Sequence, residues 1–153
     1  MNLNILEYFS IPTKNQTHWC KQISHSDWRA AVYLHELLIQ DRLQEQYGPD
    51  AKLYLLTRDR DLLAFCLLTQ KDEMEDETLY PWVGFVYTFP EHRGHRHSQT
   101  LIDHACARAR EQGYRRIYLT SNEIGLYEKY GFRFLENRAT IWGEDTQVFF
   151  REL

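Results

Sequence analysis

The most constraining feature of the chain is one stretch, Phe85 to Ser98, that passes from strand-like to loop-like to helix-like residues without a linker. Residues 79–89 are aromatic and β-branched, with Tyr80, Trp82, Val83, Phe85, Val86 and Tyr87, which predicts a buried strand. Pro90 closes that strand because it has no N–H to give to a ladder. Residues 98–112 set Leu101, Ile102, Ala105, Cys106 and Ala109 on one side of a helix that stops at Gly113. Between strand and helix lie Arg93, Gly94 and Arg96 among His92, His95 and His97. The first amides of a helix have no partner inside it, and with the helix dipole they favour an anion. A pyrophosphate fits such a place. Gly94 allows close backbone approach, and the two arginines add positive charge to a chain of formal net charge −4. The stretch therefore reads as a phosphate-binding loop, with an exposed basic turn as the alternative.

The remaining segments supply a sheet and its cover. Residues 1–23 are mixed and carry no clear period. Ser24-x-x-Asp27 has the form of a capping box, so a helix is expected to start near Ser24 or Ser26. Its apolar face runs towards Tyr47, with a break near residues 39–41, and Gly48-Pro49 ends it. Two apolar runs, residues 52–57 and 62–69, flank Arg58-Asp59-Arg60-Asp61 and predict a hairpin. Residues 71–77, with five acids and one base, read as a solvated loop, or as one that draws a cationic ligand. Residues 116–120 read as a strand and residues 124–130 as a short helix closed by Gly131. Residues 132–142 and 146–152 read as strands around Gly143-Glu144-Asp145. Strands mixed with helices, with a strand–helix–strand unit at the centre, give an α/β or α+β sheet. A length of 153 residues fits one domain.

Charge and cysteine usage narrow the functional classes. A net charge of −4 argues against nucleic acid as a partner, because affinity for it comes from neutralising phosphates. The uncharged stretch at residues 78–90 is too short for a bilayer, which needs about 20 residues, and no membrane contact is expected. The start lacks the cationic and apolar regions of a signal peptide. Cys20, Cys66 and Cys106 are far apart and predict reduced thiols in a cytoplasmic protein. His92, His95 and His97 have no acidic or thiol neighbour at a familiar ligand spacing, so no metal is expected.

Pro90-Glu91-His92-Arg93-Gly94-His95-Arg96-His97-Ser98 resembles, without gaps, motif A of the GNAT-type N-acetyltransferase superfamily. That motif is a hydrophobic strand, Pro, an acidic or polar residue, an aromatic, Arg-Gly-x-Gly-x-Gly/Ala and an amphipathic helix. Leu126-Tyr127-Glu128-Lys129-Tyr130-Gly131-Phe132 resembles the same family's "LYEKxGF" signature, which follows its second central strand. The likeness covers residues 79–153 and, in the order of elements, residues 24–69. It implies a mixed, mostly antiparallel twisted sheet of six to seven strands flanked by about four helices, with a central β-α-β unit for acetyl-CoA. It also implies acetyl transfer from acetyl-CoA to a primary amine of a small molecule or peptide, by direct attack in a ternary complex.

By the same resemblance the pyrophosphate lies on Arg93, Gly94, His95, Arg96, His97 and Ser98. The pantetheine arm runs by Tyr87 and Thr88, Asn122 contacts the cofactor, and Tyr127 is the general acid. Arg96 and Ser98 stand where the family has small residues; Arg96 makes the cradle shallower and offers a guanidinium to a phosphate. Residues 79–89 hold no carboxylate, so the expected base is ordered water, with Glu77, Asn122 or Glu123 nearby. Trp28, Tyr33 and Trp82 are candidates for an acceptor pocket, with the core competing for Trp82. A CoA- or acyl-CoA-binding sensor on the same fold is the alternative function. A homodimer would form through the C-terminal strands.

Overall fold

The computed structural model describes residues 2–72 and 78–153. Strand β1 (Leu3–Glu7) leads through a 3-10 turn, Tyr8–Ser10, to helices α1 (Thr13–Ile23), α2 (Arg29–Ile39) and α3 (Leu43–Tyr47). Strands β2 (Lys52–Arg58), β3 (Asp61–Thr69) and β4 (Trp82–Thr88) follow. A second 3-10 turn, Pro90–His92, precedes α4 (His97–Glu111) and β5 (Arg116–Ser121). A third, Tyr127–Tyr130, precedes β6 (Arg133–Ala139) and β7 (Asp145–Glu152). The seven strands form one sheet in the order β1-β2-β3-β4-β5-β7-β6. Every adjacent pair is antiparallel except β4 and β5, which α4 joins as a parallel pair.

Period-two alternation sends the hairpin's side chains to two covers. Leu53, Leu55, Phe65 and Leu67 pack beneath α1, α2 and α3 with Trp19, Ile23, Leu34 and Leu37. Tyr54, Leu56, Ala64, Cys66 and Leu68 pack beneath α4 with Leu101, Ile102, Ala105 and Ala109. Burial on both faces explains why β2 and β3 read as unbroken apolar runs. All three cysteines are buried and unbridged. No helix among the described residues is long and apolar enough to cross a membrane.

The expected capping box does not form. Ser24 ends α1, and the next helix starts five residues later, at Arg29. Ser26 Oγ instead accepts from the Trp28 amide at 3.0 Å, fixing the turn between α1 and α2. The break near residues 39–41 is present, and α3 ends at Gly48. Strand β4 is shorter than the aromatic run that announced it, beginning at Trp82. The segment before β6 makes a 3-10 turn rather than an α-helical one.

Two irregularities in β4 create space for a site. Tyr87 pairs with Phe65 and Gly84 with Leu67, so β4 carries one extra residue there, and Phe85 adopts φ 49°. This bulge shifts the alternation by one: Val83 and Val86 face α4, whereas Phe85 and Tyr87 face α1 and α2. The register of β4 with β5 consists of one pair, Trp82 with Tyr118. The Tyr118 amide also donates to the Pro81 carbonyl at 3.0 Å. Beyond that point the two strands part and leave a wedge. β7, inserted between β5 and β6, brings the β6–β7 turn to the same end of the sheet.

Candidate active site

The loop from β4 to α4 is closed by its own arginine. Arg93 Nε donates to the Thr88 carbonyl at 2.9 Å, and its guanidinium lies 5.6 Å from the centre of the Tyr87 ring. Gly94 takes φ 89° with open space where a Cβ would project, and Arg96 takes φ 60° immediately before α4. These left-handed turns aim successive amides away from any ladder. Among the described residues, no chain acceptor bonds the amides of Gly94, His95, Arg96, His97, Ser98 or Gln99. A cavity of about 670 Å³ borders this loop, reached by Thr88, Arg93, Gly94, Arg96, His97 and Ser98. Unpaired amides at a helix start, two guanidiniums and a glycine give the chemistry of a pyrophosphate cradle.

The histidines divide. His92 lines the cavity, and His97 does so with only 9% exposure. Burial, then the neighbouring His95, His92 and Arg58, hold the His97 imidazole below its ordinary value. His95 is exposed and outside the lining, its ring 5.7 Å from that of His97.

The wedge between β4 and β5 holds a second chamber of about 210 Å³, walled by Val83, Gly84, Phe85, Leu119 and Thr120. Asp72, Glu123 and Tyr127 bring its polar groups. Tyr127 borders both this wedge and the cradle cavity, and its ring packs against Tyr130, Phe132 and Phe149. Burial first, then Glu123 and Tyr130, push its phenol above the ordinary range, so it stays protonated. Asp72 accepts from the Thr120 hydroxyl at 3.2 Å, and its Oδ1 lies 3.4 Å from where a Cβ on Gly84 would stand. Asp72 was hidden in the acidic run, but Gly84 was its signal: a glycine inside a bulky strand marks close approach by another group. Glu77 lies outside the described residues.

Residues 20–132 match the sequence model of the Acetyltransferase (GNAT) family. The chain belongs to the GNAT acetyltransferase family. A family member from Elizabethkingia anophelis, solved with acetyl-CoA bound, is 14% identical and superposes over 99% of each chain with a TM-score of 0.66. A Staphylococcus aureus member is likewise 14% identical over 99% of each chain, with a TM-score of 0.65. Nourseothricin acetyltransferase is 21% identical over 68% of this chain and 66% of its own, with a TM-score of 0.55. At these identities the likeness is one of fold. No curated protein matches the sequence.

In this acetyltransferase the sequence-expected acceptor residues separate. Trp28 borders the cradle cavity, the wedge and a third chamber, and it stacks on Tyr87 at 5.3 Å. Tyr33 lines the third chamber with Phe85, Trp142 and Glu144. Trp82 does not join them. It is 1% exposed, packs with Tyr118, Val148 and Phe150, and donates its indole N–H to the Leu79 carbonyl at 2.8 Å. It pins the closed end of the wedge. Asn122 is also absent from the cradle lining: its Nδ2 donates to the Asp145 carbonyl at 3.0 Å and ties β5 to the β6–β7 turn. Trp142 and Glu144 were missed because a turn residue's reach across a sheet depends on strand order, which short-range pattern does not carry. Among the described residues, no group of three or more His, Cys, Asp or Glu side chains could hold a metal.

Proposed function

We propose that this acetyltransferase moves the acetyl group of acetyl-CoA to a primary amine of a small molecule or peptide, by direct attack in a ternary complex with Tyr127 as general acid. The observation that carries the reading is the position of Tyr127, on the boundary between an anion cradle and an acidic wedge. The acetyl-CoA bound by the Elizabethkingia anophelis relative supports the choice of donor. Acetyl-CoA supplies an activated acetyl thioester. The amides of residues 94–99, with Arg96 and His97, hold its pyrophosphate; Ser98 is tied to Tyr130 at 3.0 Å and keeps the helix start in place. The pantetheine arm lies along Tyr87 and Thr88, and Trp28 closes its side.

The amine enters the wedge beside Asp72 and Glu123. An alkylammonium, with a pKa of about 10.4, must first give one proton to water in the cleft before its nitrogen can attack. Asp72, oriented by Thr120, orients the ammonium. As the C–N bond forms that nitrogen becomes far more acidic, and Asp72 takes one of its two protons, leaving the N–H of the amide product. The C–S bond then breaks, and the phenol of Tyr127 gives its proton to the departing thiolate. The side chains of His95 and Asn122 lie outside the cradle lining.

The test is direct. Protein, acetyl-CoA and a panel of primary amines should release free CoA thiol faster than hydrolysis alone. If no amine raises thiol release while CoA still stabilises the fold, the chain is a CoA-binding sensor and the catalytic reading fails.

A further inference from the structure

We infer that the third chamber is a cation box, so that the acceptor carries a second positive centre besides the nitrogen that is acetylated. The inference rests on the proposed amine transfer and names the class of amine it uses. The chamber measures about 550 Å³ and is walled by Trp28, Tyr33, Phe85 and Trp142. It adjoins the wedge, with Trp28, Ala30 and Phe85 lining both. A substrate whose reacting nitrogen sits by Asp72 therefore extends its remaining length between these rings.

The rings are held in place. Trp28 meets Phe85 edge-on at 6.4 Å, and Tyr47 braces Phe85 from the side at 5.6 Å. Trp142 is 55% exposed, yet it stands on an ordered turn. The Thr140 hydroxyl accepts from the amides of Trp142 and Glu144, at 3.3 and 3.2 Å. The Thr140 amide donates to the Glu144 carbonyl at 2.8 Å, and Gly143 takes φ 80° to complete the turn. Asn122 fastens the next residue, Asp145, to the end of β5. One turn thus brings an indole side chain and a carboxylate side chain to the same chamber.

That pairing selects charge. Aromatic faces are negative and attract cations, more strongly where water is partly excluded. Glu144 adds a full negative charge, and the adjoining wedge adds Asp72 and Glu123. Among the described residues, the one cation that lines the chamber is Arg29, exposed in the first turn of α2. Among the described residues that line the two adjoining spaces, three carboxylates and four rings stand against this one guanidinium. An alkylammonium fits this balance better than a neutral or anionic group.

Three molecules of one shape and different charge test the box: choline, neutral 3,3-dimethylbutan-1-ol and anionic 3,3-dimethylbutanoate. Titration followed by tryptophan fluorescence should show choline binding at least about tenfold tighter than the alcohol. Trp142→Leu and Glu144→Gln should each remove most of that preference. Equal binding of choline and the alcohol, tighter binding of the carboxylate, or no saturable binding by any of them would overturn the inference. With acetyl-CoA present, cadaverine should exceed n-pentylamine in kcat/KM by a similar factor. Should both amines be inert while choline keeps its preference, the cation box stands and the transfer reading falls. Should both be acetylated equally with no charge preference, transfer stands and the box falls.

Discussion

Tyr127 and Tyr87 are both buried phenols at the site, and their surroundings predict opposite responses to loss of the hydroxyl. Burial raises the Tyr127 phenol above its usual value of about 10, while a thiol sits near 8.5, so full proton transfer to the thiolate is uphill. General-acid help is then expected at the low end of its usual range. Tyr127→Phe should lower kcat by about a hundredfold with little change in the KM for acetyl-CoA, measured by steady-state thiol release. Tyr87 behaves differently. Its ring is held by Trp28, Phe65 and Phe89, but its hydroxyl is buried without a partner among the described residues. An unpaired buried hydroxyl costs about 1 to 3 kcal/mol, so Tyr87→Phe should raise the ligand-free melting temperature. A fall would mean that the hydroxyl is bonded in solution.

At the scale of elements, the β4–loop–α4 unit concentrates what the site needs, and it was also the most legible part of the sequence. Pro90, Gly94, the amphipathic repeat of α4 and Gly113 are local signals, and each marks a boundary at or next to its observed place. The surroundings of Asn122 and Trp82 were not legible in the sequence, for a common reason. Each depends on what lies across the sheet: Asn122 on the β6–β7 turn and Trp82 on Tyr118. Helix α1 escaped notice because only Trp19, Cys20 and Ile23 of its residues are buried, too few to announce a period. The parting of β4 and β5 has no local signal beyond the Phe85 bulge.

Arg96 is the one member of the loop whose backbone and side chain act against each other. Its left-handed φ of 60° costs an L-residue roughly 1–2 kcal/mol, while its guanidinium serves an anion. Glycine would relieve that strain and lose roughly 0.5–1 kcal/mol through its freer unfolded state. Arg96→Gly should therefore melt slightly higher without ligand. The same variant should bind CoA about tenfold more weakly, because a hydrogen bond to a charged group contributes about 1.5–3 kcal/mol. Its affinity should also depend less on salt. Calorimetric melts and CoA titrations at two ionic strengths read both effects, and unchanged affinity would remove Arg96 from the cradle.

For the whole molecule, acid should weaken the fold and strengthen its grip on the ligand. Burial lowers the imidazoles of His97 and His104 below their usual 6.5. His104 packs edge-on to Tyr54 at 4.8 Å beneath α4, with Arg108 adding to the downward shift and Glu111 opposing it. As pH falls through about 6.5, the unfolded chain takes up protons that the folded chain does not. Stability from these groups is thus complete above about 6.5 and declines below it. A pyrophosphate beside His97 reverses the sign for binding, because it favours the imidazolium and the complex takes up a proton that the free protein lacks. Affinity should then rise as pH drops below about 6.5, even as the free protein melts earlier. The terminal phosphate of CoA titrates with a second pKa of about 6 and would blur the comparison, so 3′-dephospho-CoA is the better probe. Its thermal shift should be larger at mildly acidic than at neutral pH, and His97→Asn should abolish that difference while leaving the acid loss caused by His104. A shift independent of pH in the parent protein would place the diphosphate away from His97 and move the cradle towards Arg93 and the 3-10 turn before it.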